Sequence, residues 1–198
     1  MATEAVALQF QLRKMKIRAA TEADRDAIWN IFHEIVAGGD TYAFDPKMPR
    51  EEALAYWFRA DTHAYVAEVD AESVGEADSF PGTATPSPTV EMNPVVVGTY
   101  ILRPNQSGGG SHVANAAFMV ALDGQGSGVG RKMAEHCLSE ARRMGFSAMQ
   151  FNFVISTNAR AIHLWEQLGF KIVGTLPGAF DHPEKGYVDV YVMYRSLF

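Results

Sequence analysis

The run Gln125-Gly126-Ser127-Gly128-Val129-Gly130 stands between an apolar stretch, Val113 to Leu122, and a helical stretch that begins near Gly128. It predicts a strand, a tight glycine loop and a helix in direct succession. Such a joint binds phosphate, because glycines allow the turn and expose unhindered N–H groups, and the positive end of the helix dipole adds to the attraction. Register decides which phosphate. A P-loop needs Gly-Lys-Ser/Thr at the helix start, whereas Lys132 is preceded by Arg131 and followed by Met133. A dinucleotide-binding GxGxxG also fails, since Gly126 and Gly128 lead to Arg131, and Gly124 and Gly126 lead to Val129. The pattern that fits is Gln/Arg-x-x-Gly-x-Gly/Ala, at Gln125, Gly128 and Gly130.

The flanking segments predict what surrounds this joint. Lys14 to Arg18 reads as a first strand, and Thr21 caps a helix whose apolar face is Ile28, Ile31, Phe32, Ile35 and Val36, stopped by Gly38-Gly39. A second helix runs from Arg50 to about Arg59, after the polar and aromatic loop Asp40 to Asp45, which is placed to cover a substrate. Ala64 to Val69 and Val95 to Leu102 form a hairpin around an exposed, flexible excursion, residues 71–94, rich in Gly, Pro, Ser, Thr and acids. After the loop, Val129, Met133, Cys137, Ala141 and Met144 line one helix face. Strand Ala148 to Ile155, helix Asn158 to Leu168 and strands Phe170 to Thr175 and Val188 to Tyr194 close the chain. The expectation is a single α/β (α+β) domain over residues 1–198, a mixed sheet with helices on both faces.

Charge and composition narrow the function. A formal charge of -6 gives no basic footprint for nucleic acid or an anionic membrane, so a small amine or a peptide terminus is the more natural partner. One cysteine permits no internal disulfide and suits a reducing compartment. Met1 to Ile17 holds no long apolar run, and the expectation is a soluble cytoplasmic protein with no metal-ligand spacing.

The loop pattern at Gln125, Gly128 and Gly130 resembles that of the GCN5-related N-acetyltransferase (GNAT) family, which holds the pyrophosphate of acetyl-CoA there. Ser156 to Phe170 resembles the family's second landmark, an Asn-x-x-Ala helix ending in Leu-Gly-Phe, and Ile17 to Asp24 resembles its opening. The resemblance implies a mostly antiparallel sheet in which two central strands splay into a V. Acetyl-CoA would be the co-substrate. Phe118, Met119 and Val120 would hold its pantetheine arm through their backbones, and Gln125, Gly126, Gly128, Val129, Gly130 and Arg131 its pyrophosphate. Asn158 would touch the pantetheine or position its helix. Trp165 stands where many members carry a tyrosine that protonates the thiolate, and an indole is no useful acid.

A narrower resemblance, to fungal acetyltransferases acting on L-azetidine-2-carboxylate, rests on Tyr56 to Phe58, Gly98 to Asn105, Ser111 to Val120 and Phe151 to Val154. It implies that Asn115 and Asn152 contact the acceptor. A weaker likeness to phosphinothricin-type acetyltransferases lies in the first helix and the Gly39 to Phe44 loop. The implied activity is acetyl transfer to a small amine or amino acid by direct attack in a ternary complex. Peptide acetylation, a silent acyl-CoA-binding module and homodimerisation stay open. Both asparagines also suit structural bridging within strands, and Asn158 an ordinary N-cap. Cys137 reads as a buried, inert thiol, His112 as a solvated loop residue or a candidate base, and His163 and His182 as surface residues.

Overall fold

A computed structural model describes residues 15–70 and 94–198. The predicted excursion 71–94 lies, but for Pro94, outside the described residues. Seven strands form one sheet: β1 (Lys16–Ala19), β2 (His63–Asp70), β3 (Pro94–Pro104), β4 (Val113–Val120), β5 (Ala148–Ile155), β6 (Lys171–His182) and β7 (Gly186–Ser196). Their spatial order is β1-β2-β3-β4-β5-β7-β6. Every neighbouring pair is antiparallel except β4 and β5.

Four helices cover the two faces: α1 (Arg25–Ala37), α2 (Arg50–Trp57), α3 (Val129–Arg143) and α4 (Ala159–Gln167). On one face Ile28, Phe32 and Trp57 from α1 and α2 pack against Val66, Ile101 and Met119. On the other, Met133, Cys137 and Trp165 from α3 and α4 pack against Tyr100, Met149 and Phe151. Strand alternation explains the division over most of β3 and β4, since Ile101, Ala117 and Met119 face α1 and α2 while Tyr100, Leu102, Ala114 and Ala116 face α3. Among the described residues no helix is long and apolar enough to cross a membrane.

Several boundaries differ from the expected ones for identifiable reasons. The α1 helix is preceded by a 3-10 turn, Glu22–Asp24, where the Asp24 carboxylate accepts from the Thr21 N–H (2.7 Å) and hydroxyl (2.9 Å). The strand expected to end at Thr175 continues to His182. Pro177-Gly178 reads as a turn in sequence, but it forms a bulge in pairing with β7, with Gly178 at φ +58 and its N–H donating to Asp189 Oδ1 (2.9 Å). His182, expected at the surface, is buried at the end of β6, and its Nδ1 accepts from the Glu184 N–H (3.1 Å).

An ion network ties the first strand to the helical layer. The Arg18 guanidinium spans Asp24 (2.8 and 2.9 Å) and Glu68 (2.8 Å), linking β1, the 3-10 turn and β2. The hydrogen-bonded Arg18 guanidinium holds the Asp24 carboxyl down to about 2, against an ordinary 3.8. A depressed carboxylate stabilises the fold above its unfolded pKa and loses that contribution as pH falls through its folded one. Asp24→Asn should therefore cost roughly 1–3 kcal/mol at pH 7. Its Tm deficit, measured by scanning calorimetry, should shrink as pH falls from about 4 toward 2.

Candidate active site

The parallel pairing of β4 with β5 stops after two rungs, Val113↔Ala148 and Ala114↔Met149. Beyond them the strands part, giving the splay that the resemblance implied. On one side of the opening, Trp165 packs at 5.1 Å from Phe118 and 4.7 Å from Phe151, a wedge between the two strands. On the other side the loop between α1 and α2 supplies Tyr42 and Phe44, stacked at 5.8 Å. A cavity of about 490 Å³ runs through the gap, from the glycine loop to the point where the strands meet.

Ladder geometry identifies the backbone groups that line the opening. Asn105 N–H donates to Val113 O (2.8 Å) and Ala121 N–H to Val97 O (3.0 Å), so odd residues of β4 spend their backbone groups on β3. Ala116, Phe118 and Val120 turn theirs toward the splay. Met119 belongs to the odd set, paired with Thr99, with its side chain in the core. Of the three residues expected to hold the arm, Phe118 and Val120 thus have backbone groups on the correct side. The Phe118 carbonyl already accepts a hydrogen bond from the Tyr42 hydroxyl. Burial pushes that phenol well above its ordinary pKa, so it remains a donor at physiological pH.

The glycine loop closes the wide end. Gly126 (φ +83) and Gly128 (φ +88) adopt left-handed backbone, and Gly128 is the N-cap of α3. The first intrahelical bond runs from Lys132 N–H to Gly128 O (3.1 Å), which leaves the N–H groups of Val129, Gly130 and Arg131 without helical acceptors. Gln125, Gly126 and Gly130 line the cavity. The side chain of Val129 is buried, and Arg131 reaches instead to Gln167 and Glu135. Asn158 caps α4, its Oδ1 accepting from Ala161 N–H (3.1 Å), and also lines the cavity. Arg160 donates to Gln125 Oε1 (3.4 Å), which puts a cation beside the loop.

A belt of amides closes the narrow end. Asn115, one rung past the last β4–β5 pair, donates through Nδ2 to Gln150 O (2.8 Å) and so bridges the first broken rung. Its Oδ1 accepts no hydrogen bond from the described residues. Gln150 Nε2 donates to Asn152 Oδ1 (2.8 Å), and Asn152 Nδ2 to Asn105 Oδ1 (2.7 Å). Asn152 and Phe153 form a bulge opposite β7, where the register shifts between Phe151 and Val154. Asn115 and Asn152 therefore meet at one end of the cavity, and only Asn115 keeps a free acceptor atom.

Sequence reasoning passed over the side chain beside them. Arg103 lies directly opposite Asn115 on β3, with its guanidinium 4.9 Å over the Tyr56 ring and Nη2 donating to Tyr56 Oη (2.9 Å). Its Nη1 is sealed from solvent and has no hydrogen-bond partner among the described residues. An unmade bond of that kind costs about 1–3 kcal/mol. The available signal was a lone cation closing the apolar run Val95 to Leu102. Trp57 is core, with Nε1 donating to Thr99 Oγ1 (2.9 Å). Cys137 is fully buried under α3, where desolvation drives its thiol pKa well up.

A parted pair of central strands and a cradle at the N-terminus of α3 form the arrangement that the resemblance to N-acetyltransferases implied. The Acetyltransferase (GNAT) family matches residues 29–170, and the chain belongs to that family. It is 36% identical over 155 residues to the N-acetyltransferase aca1 of Schizosaccharomyces pombe, covering 78% of this chain and 71% of that one. A GCN5-related N-acetyltransferase from Kribbella flavida superposes with TM-score 0.76 at 39% identity, over 92% of this chain and 97% of that one. The Salmonella typhimurium acetyltransferase yncA, solved with its cofactor acetyl-CoA, superposes with TM-score 0.70 at 26% identity, over 93% and 95%. The chain is an acetyl-CoA-dependent N-acetyltransferase.

Gly128→Val places a β-branched residue at φ +88, which costs about 1–2 kcal/mol and reorients the N–H groups of the cradle. Calorimetry should show a Tm lower by a few degrees. Titration should show acetyl-CoA affinity down by at least about tenfold, the share of a charge-assisted hydrogen bond.

Proposed function

We propose that this enzyme acetylates the amine of a small molecule, an amino acid or a proline analogue such as azetidine-2-carboxylate, by direct attack in a ternary complex. The observation that carries this reading is one continuous cavity joining the glycine loop to Asn115 and Asn152 with no cysteine on its wall. The single cysteine of the chain is sealed beneath α3, so no acyl-cysteine relay is available.

Bound acetyl-CoA supplies an activated acetyl group. The cradle formed by Gln125, Gly126, Gly128, Val129, Gly130 and Arg131 offers N–H donors to the pyrophosphate, with Arg160 adding charge beside Gln125. Phe118 and Val120 offer backbone groups to the pantetheine amides, as an edge strand does to an added strand. A β4 N–H facing the gap is aligned to stabilise charge developing on the carbonyl oxygen. At the far end, the free Oδ1 of Asn115 accepts a hydrogen bond from the incoming amine and aims its lone pair. Asn152 braces that end through Gln150 and Asn105.

Proton removal falls to water, because no Asp, Glu, His or Lys is among the described residues lining the cavity. Solvent likewise protonates the departing thiolate, since Trp165 is a wedge and not an acid.

Titration of purified protein with acetyl-CoA should show saturable binding, and a thiol-release screen over amino acids and proline analogues should find turnover; protein that binds nothing sinks the reading. Asn115→Ala should lower kcat/KM by about tenfold, one hydrogen bond's share. Asn152→Ala should lower it less. With no side-chain base in the cavity, log kcat/KM should rise with unit slope as pH approaches the amine's own pKa, without an earlier plateau from an enzyme base.

A further inference from the structure

The charges on the cavity wall are one-sided. Among the described residues that line it, Arg103 and Arg160 alone are formally charged, and neither has an acidic partner among the described residues. They stand at opposite ends. Arg160 is held beside the glycine loop by Gln125, where phosphate charge is expected. Arg103 is opposite Asn115, at the narrow end that the donor's phosphates do not reach; β4 runs from Asn115 to Val120, about 17 Å, between the two.

Arg103 is also held in place. Tyr56 lies under the guanidinium and accepts from Nη2, Phe44 packs edge-on against Tyr56 (5.0 Å), and Nη1 is left with no partner. A positioned, permanently cationic fork with an unused donor suits a carboxylate, which it can bind through two parallel hydrogen bonds. The spacing suits one class of acceptor. Arg103 and Asn115 are a directly opposed, hydrogen-bonded cross-strand pair, with Cα atoms about 5.5 Å apart and side chains on the same face. An α-amino acid carries its amine and its carboxylate on one carbon, so it can meet Asn115 Oδ1 and the Arg103 guanidinium together.

Resting on the acetyl-transfer reading above, we infer that Arg103 is the acceptor-carboxylate site, with Tyr56 as its positioning residue, and that the substrates are small α-amino acids and not polyamines or lysine side chains. A polycationic acceptor would enter a cavity whose wall offers it no anion and one facing cation. The aromatic pair Phe44 and Tyr56 lines the cavity and offers an apolar wall to the body of such a substrate.

The test is a thiol-release assay with acetyl-CoA over small α-amino acids, azetidine-2-carboxylate included, together with their methyl esters, the matching decarboxylated amines and spermidine. Esters have less basic amines and hence more free base at neutral pH, which biases the chemistry against the proposal. The acids should still be favoured in kcat/KM by about 100-fold or more, the usual cost of stranding one member of a buried charge pair. Arg103→Met keeps the stem over Tyr56. It should remove that preference, chiefly through KM for the acids, while activity on the amines changes little and titrated acetyl-CoA affinity stays within about twofold. Tyr56→Phe should raise KM for the acids and leave that for the amines unchanged. Esters used as well as acids by the wild type, an unaltered acid preference in Arg103→Met, or turnover confined to spermidine would overturn the assignment of Arg103 and leave acetyl transfer standing. Loss of acetyl-CoA binding in the wild-type protein, or binding with transfer to no amine, would overturn both.

Discussion

Two rungs of parallel pairing, Val113↔Ala148 and Ala114↔Met149, set everything else in this molecule. A β-strand pair that stops early leaves a row of backbone donors and acceptors in the sheet interior, and such groups must find partners. Part of the need is met internally, by Asn115 on the Gln150 carbonyl and by Tyr42 on the Phe118 carbonyl. The remaining groups of Ala116, Phe118 and Val120 are those that a bound amide chain can use. What keeps the strands from closing is bulk. Trp165 enters from α4 against Phe118 and Phe151, and the bulge at Asn152 and Phe153 turns β5 away toward β7.

This gives Trp165 a definite role despite its departure from the tyrosine common at this position. A buried indole contributes area and rigidity, not a proton. The proposed chemistry therefore depends on arrangement: helix-terminal and strand N–H groups for the donor, one free amide oxygen for the amine, and water for protons. A cavity without carboxylate or imidazole puts little of the rate in acid–base groups and most of it in holding two reactants in line.

The two faces of the sheet divide the labour. The α3 and α4 side carries the cradle, the wedge and the cap at Asn158, all within a stretch of sequence that reads continuously from Val113 to Phe170. The α1 and α2 side carries the proposed acceptor end, assembled from Tyr42, Tyr56, Arg103 and Asn115, which come from four separate elements. Local patterns thus locate the glycine loop and the helices beside it. The glycine register, the N-cap and the 3.6-residue periodicity of α3 are short-range properties, set by backbone geometry within a few residues. Acceptor contacts are long-range. Nothing near Arg103 in the chain announces Tyr56 beneath it, and nothing near Asn152 announces Gln150 and Asn105 on its two amide atoms.

The sequence by itself determined the order of elements, the glycine loop and helix start at Gln125 to Gly130 and the family to which the chain belongs, because each rests on residue type at fixed local spacing. Tertiary structure decided which backbone groups of β4 face the gap, that Met119 spends its own on β3, that His182 is buried, and that Asn115 alone keeps a free acceptor. It also decided that Arg103 stands with an unused donor at the narrow end. These are consequences of strand register, and a shift of one residue would exchange every one of them between faces.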